Sequence, residues 1–243
     1  MLKGGIQHSE RLDALGDMWL PGKEFPKYAP VENFSGEWFM LPNWLAGTWV
    51  SVQEIETEFH DNKTGQSSSD IKILKTRERE SFGWQTDSRG EIWTTKEPLK
   101  PVDQEEPVKE VESGGGNRTT VKLLRFNQPV EEAEDSISFK SKDIRIRIDS
   151  ETNKIQSVAR DENIRKLVRL GDDIIAVHSD IRSYDDQGFP KGHKTIVAFY
   201  RKEHDFVKLD EFANRELRSS FSKYLQRTGK IYLIPEKESS ESE

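Results

Sequence analysis

The sequence predicts an all-β fold: an antiparallel up-and-down β-barrel carrying one C-terminal α-helix. Three observations predict it. Gly47-Thr48-Trp49 heads the first long β-rich segment. Segments of alternating apolar and polar residues, separated by short turns, then follow one another between 119 and 202, which is the rhythm of an antiparallel meander. Only 210–227 carries a convincing apolar stripe at helical spacing, as one face of an α-helix requires.

The elements follow in chain order. Residues 1–32 hold Pro21, Pro26 and Pro30 among scattered aromatics, which predicts an extended N-terminal arm with room for a short helix near 10–15. Trp19 and Phe25 are its packing anchors. The barrel domain spans 33–235. Its first strand is 48–59, closed by the turn residues Asp61-Asn62-Lys63-Thr64-Gly65. The second is 70–84, and the turn Thr86-Asp87-Ser88-Arg89-Gly90 leads to a third at 91–94, with Trp84 and Trp93 paired across the ladder. Residues 97–118, rich in Pro, Glu and Gly, read as a long mobile insertion or a lid. Strands resume at 119–126 and around Ile137 and Phe139. Ile144, Ile146 and Ile148 then take the opposite parity to Phe139, which predicts a bulge near Lys140-Ser141-Lys142. Strands at 155–161, 164–170, 174–184 and 194–202 complete the meander. The helix 210–227 has Asp210 to cap its start and Gly229 its end. Its stripe is Ala213, Leu217, Phe221, Tyr224, Leu225 and Thr228. A short strand at 231–234 follows, and 236–243 is a Ser/Glu-rich tail expected to be disordered.

Composition narrows the chemistry. The chain has 243 residues, 33% of them hydrophobic, and a mean hydropathy of −0.82. These values point to a modest core with long polar loops. The formal charge of −7 disfavours nonspecific binding to nucleic acid or to an anionic membrane. The chain contains no cysteine, which excludes disulfides, thiolate metal sites and cysteine nucleophiles. No stretch approaches the ~18 apolar residues of a membrane span. The N-terminus lacks the apolar core of a signal peptide, so the expected location is cytoplasmic or that of a mature exported form.

Gly47-Thr48-Trp49, the meander, the late helix and the last short strand together resemble the lipocalin-like barrels of the calycin superfamily. The resemblance covers about residues 31–235, and Gly36-Glu37-Trp38 repeats the Gly-x-Trp pattern within it. It implies that Trp49 plugs the closed end beneath a basic residue from late in the chain. Arg201 is the candidate, as a cation over an indole face.

Chemistry-bearing patterns are sparse. His8, His60, His178, His193 and His204 show no metal-ligand spacing, and no metal or cofactor is expected. Asp172-Asp173 and Asp185-Asp186 fall in turns, where adjacent carboxylates point apart. Arg145 and Arg147 alternate with the isoleucines of their strand. With isoleucines inside, the arginines lie in water; with the parity reversed, they line a cavity, and Arg165 and Arg169 raise the same question. The functional expectation is noncovalent binding of a small, largely apolar ligand in the barrel mouth. Trp84, Trp93, His178 and Tyr200 are its lining residues, chosen from strand position and parity. The alternative is a structural or protein-interaction module with a filled barrel. A third reading, an enzyme, has no catalytic motif behind it.

Overall fold

A computed structural model describes residues 6–25, 36–74, 78–96, 119–149, 151–212 and 215–235. The expectations for 97–118 and for the tail lie outside these residues. The strands are β1 (Trp38–Leu41), β2 (Gly47–Asp61), β3 (Ser67–Ser68), β4 (Lys72–Leu74), β5 (Arg79–Phe82), β6 (Gln85–Thr86), β7 (Ile92–Thr95), β8 (Thr119–Ala133), β9 (Ser136–Asp149), β10 (Ile155–Arg169), β11 (Ile174–Tyr184), β12 (Pro190–His204), β13 (Glu211–Phe212) and β14 (Arg215–Glu216). One α-helix, α1 (Leu217–Arg227), follows them.

The main sheet is antiparallel, in the order β3-β2-β12-β11-β10-β9-β8, with β4 and β5 also pairing with β2. Its first and last long strands, β2 and β12, are neighbours. Among the described residues the sheet does not close into a ring: β8 forms one edge and the pieces β3, β4 and β5 the other. A second sheet, β1-β7-β6, continues from β5, and the Trp84 N–H bonds the Trp93 carbonyl at 2.8 Å.

The main sheet is strongly curled. In a flat sheet β5 and β10, four strand spacings apart, would lie about 19 Å from one another. Instead Arg165 on β10 makes two hydrogen bonds of 2.7 and 2.8 Å to Glu80 on β5. The rings of Phe39 on β1 and Phe139 on β9 also meet, at 5.9 Å. Curling defines an inner face, which carries Trp49, Leu167 and Tyr200, and an outer one.

Leu41, Leu45, Trp49, Ile137, Phe139, Leu167, Ile175 and Val177 fill one end of the inner face. Gly47 makes that end possible. Its φ is +125°, and an added Cβ would stand 2.5 Å from the His204 carbonyl oxygen, so only glycine fits. Trp49 is wholly buried, donates from Nε1 to the Leu45 carbonyl at 2.8 Å, and lies beneath a cation. That cation is Lys202, 5.3 Å from the ring, rather than Arg201. The inner face of β12 takes Ala198 and Tyr200, so the same parity brings in Lys202 and turns Arg201 outward.

No bulge interrupts 140–142. β9 pairs in unbroken register with β10 from Ser136 to Arg147. Ile137 and Phe139 serve the inner core, whereas Ile146 and Ile148 serve the outer face, where Phe25, Trp19 and Ile155 cover them. The N-terminal arm thus covers this part of the outer face. Among its described residues it contains no helix at 10–15, only a 3-10 turn at Asp17–Trp19. Trp19 and Phe25 pack ring to ring at 5.9 Å.

Other boundaries also differ from expectation. Within 70–84 the described strands are β4 and β5, with β6 following at Gln85, while 155–169 is one continuous strand. The helix starts at Leu217, because β13 and β14 pair with each other just before it and the Asp210 carbonyl accepts the Leu217 N–H at 2.8 Å. It ends as expected at Gly229, which has φ +74°. Residues 231–233 form a 3-10 turn instead of a strand. Leu217, Phe221, Tyr224 and Leu225 pack on Trp38 and Trp93 of the second sheet.

Candidate functional site

One strand spells out the inner face from end to end. Alternate residues of β10 share a face, and Leu167, Arg165, Asn163, Asp161, Ala159 and Ser157 rise in that order from the filled floor to the open rim. Leu167 belongs to the apolar floor. Arg165, buried, forms with Glu80 a bar across the interior. Burial works against the charge on Arg165, but the carboxylates of Glu80 and Glu78 outweigh it and hold the guanidinium charged. The Tyr200 hydroxyl donates to Glu78 Oε2 at 3.3 Å. Burial, with Glu80, Glu78 and Glu54 nearby, holds that phenol protonated well above its ordinary range, against the opposing pull of Arg165.

Above the bar sit two polar neighbours. Asn163 and Ser141 are directly paired across β10 and β9. They are 7% and 1% exposed. Asn163 Oδ1 and Ser141 Oγ are both sealed from solvent and have no hydrogen-bond partner among the described residues. Buried polar atoms left in this state are uncommon and costly. One step further up, Asp161 accepts the Ser183 hydroxyl at 2.6 Å. Beyond them a pocket of about 330 Å³ at the end of the sheet is lined by consecutive residues of both faces, 157–161 of β10 and 183–186 at the end of β11, together with Phe59 of β2 and with Leu15 and Pro21 of the arm.

Of the four residues proposed from the sequence, Tyr200 alone stands on this face. Trp93 packs against Phe221 and Tyr224 and donates to Asp87 Oδ2 at 3.2 Å. Trp84 packs on Phe212 at 5.3 Å. Both belong to the helix-side core. His178 is exposed on the outer face, between Lys166 and Val197. Arg145 and Arg147 share the inner parity of Phe139 but lie exposed towards the open end.

The sequence reading did not find the outer-face polar cluster under the arm. Glu162 is fully buried and accepts the Ser9 N–H and the Ser9 hydroxyl, each at 2.7 Å. Lys140 Nζ stands 3.2 Å away. The Tyr184 hydroxyl donates to the Ser9 carbonyl at 2.6 Å and lies 3.2 Å from Glu162 Oε2. His8 Nε2 and His193 Nε2 each lie 2.8 Å from Asp180 Oδ1. These partners are up to 175 residues apart in sequence, so no local motif announces them.

Burial pushes the Glu162 carboxyl up, but the Ser9 donors and the Lys140 ammonium outweigh it, and its pKa lies below the ordinary glutamate value. Burial also raises Asp180, and His8 and His193 pull it lower still. Both carboxylates are therefore depressed in the folded state. Their contribution is complete above the ordinary carboxylate range, about pH 4, and is lost as pH falls through the lowered values. The arm is expected to undock below about pH 4, with the Leu12 and Leu15 amides losing hydrogen-exchange protection before those of β10. Uniform protection down to about pH 3 would contradict this assignment.

Among the described residues, no group of three or more His, Asp or Glu is placed to hold a metal ion, and no helix is long and apolar enough to cross a membrane. No protein-family model, curated protein or solved structure matches the chain.

Proposed function

We propose that the chain is a lipocalin-like protein, its curled sheet a variant of the up-and-down barrel, and that it binds a small molecule noncovalently on the inner face above the Arg165–Glu80 bar. The pairing of β2 with β12 and the Trp49–Lys202 floor support the lipocalin-like reading. The pair Ser141 Oγ and Asn163 Oδ1, buried without partners among the described residues between the bar and the rim pocket, carries the binding reading. A ligand with a hydroxyl, amide or amine end would supply the missing hydrogen bonds, while its apolar body lies against Phe59, Ala159 and Leu15. The ligand is thus amphipathic rather than wholly apolar.

Ser141→Ala tests this. It removes a buried group without a partner, so the variant is expected to be more stable by about 1 kcal/mol, read as a shifted urea midpoint with unchanged slope. In a thermal-shift screen against small alcohols, amides and amines with apolar tails, the wild type is expected to be stabilised by some members and the variant by fewer or more weakly. Equal shifts in both proteins would remove Ser141 from the site.

The filled floor, in which Leu45, Trp49, Leu167 and Ile175 are wholly buried, favours a second reading as a structural or interaction module. In that case no member of the screen shifts either protein.

A further inference from the structure

The polar atoms left open on the inner face are acceptors, and a carboxylate stands beside them. Asn163 and Ser141 are 7% and 1% exposed, and among the described residues no donor meets Asn163 Oδ1 or Ser141 Oγ. Two residues along β10, on the same face, is Asp161. One of its oxygens accepts the Ser183 hydroxyl at 2.6 Å, and an ionised carboxylate has lone pairs for further donors. Asp161 also lines the rim pocket, so it stands between that pocket and the two unpartnered atoms. Asp143 is directly opposite Asp161 on the ladder and is 8% exposed. Like charges in opposed positions repel, so a cation between them is favoured over a neutral group.

The cations of this face are engaged or stand apart. Arg165 is held by Glu80 through two hydrogen bonds. Arg145 and Arg147 are exposed. Lys194 is two strands from Asn163, with Ile181 between them, a separation of about 10 Å. Spacing then selects the ligand group. Alternate residues of a strand are about 6.7 Å apart, and opposed residues have Cβ atoms about 5 Å apart. One nitrogen placed among Asp161, Asn163 and Ser141 spans these gaps with hydrogen bonds of about 2.8–3.0 Å. A hydroxyl has a single donor for the three acceptors. An ammonium group has three donors, no acceptor and the opposite charge.

We infer that the ligand of this site is a primary amine with an apolar body, its ammonium group held by Asp161, Asn163 and Ser141. The inference rests on the small-molecule reading given above and narrows the polar end of the ligand to a cation. Asp161 supplies the ion pair, Asn163 and Ser141 supply the remaining acceptors, and Asp143 adds to the negative potential. The same two aspartates reject a ligand that ends in a carboxylate.

Calorimetric titration of the full chain with n-octylamine, 1-octanol and octanoate tests this, because the three share an apolar body and differ at the polar end. The wild type is expected to bind octylamine about tenfold more tightly than octanol and to leave octanoate unbound. Asp161→Asn keeps the shape and removes the charge. It is expected to weaken octylamine about tenfold, as loss of a hydrogen bond to a charged group does, and to leave octanol unchanged. Asp172→Asn removes the same charge from a side chain that is 88% exposed and is expected to change neither. Urea midpoints show that each variant is folded, and the comparison of ligands on the wild type stands without them. If octanol or octanoate binds as tightly as octylamine, or if the two variants weaken octylamine alike, the ammonium site is overturned while the small-molecule reading remains. If none of the three binds the wild type, the ammonium site falls. A hit among the alcohols or amides of the thermal-shift screen then keeps the small-molecule reading, and a screen without hits removes that as well.

Discussion

Replacing Glu80 with alanine is expected to destabilise the fold by about 3 kcal/mol, because it leaves the buried Arg165 guanidinium without its bidentate partner, with only the Glu78 carboxylate left nearby. The pair is bidentate, and the guanidinium end is the more enclosed, with the Arg165 side chain 9% exposed and that of Glu80 20%. Most of the cost comes from the stranded charge rather than from the net worth of the pair. The double variant Arg165→Met with Glu80→Leu should therefore recover most of the loss. Urea midpoints for the two single variants and the double variant give the coupling energy directly. A cost below about 1 kcal/mol for Glu80→Ala would match a solvated surface pair. It would remove the bar that divides floor from mouth.

Trp49→Ala is the second large effect, expected to cost about 3–5 kcal/mol, as large aromatic truncations in sealed cores do. The indole is wholly buried among Leu41, Leu45, Ile175 and Tyr200, and its Nε1 hydrogen bond to Leu45 ties β2 to the bend that precedes it. Lys202→Met should cost far less, about 0.5–1 kcal/mol, because it removes only the cation over the ring. Calorimetric unfolding of both variants separates the two terms. Equal losses would mean that the lysine contact, not packing, holds the floor.

The hairpins were legible because their signals are local. Turn residues such as Asp149, Asn153 and Gly188 sit where the chain must reverse, and the strands between them alternate. The Gly47–Trp49 floor was legible for the same reason. The faces were harder to read. Ile137 and Phe139 serve one core and Ile146 and Ile148 another, and with a single buried face their opposite parities would require a bulge. The arm removes that need, but its docking depends on Ser9 and Glu162, 153 residues apart, and no periodicity carries that information. Arg165 belongs to the same class. Its inward direction was left open by alternation, and only the curl of the sheet, which brings Glu80 within reach, decides it. The expectation of Trp84 and Trp93 as lining residues came from strand position. The helix claims that surface instead, since Phe221 and Tyr224 need an apolar partner. For the helix itself, the apolar stripe was legible but the start was not. Asp210 acts seven residues ahead of Leu217 through its backbone carbonyl, across a small β-pair.

Native mass spectrometry of the protein from its own source, gently purified and then repeated after denaturation, decides whether it carries a small molecule. A mass excess of one small molecule is expected, which disappears on denaturation and is diminished in Ser141→Ala. A bare chain mass in both states, together with an unchanged melting temperature across the ligand screen, would contradict binding on the inner face and leave the filled module as the reading of this fold.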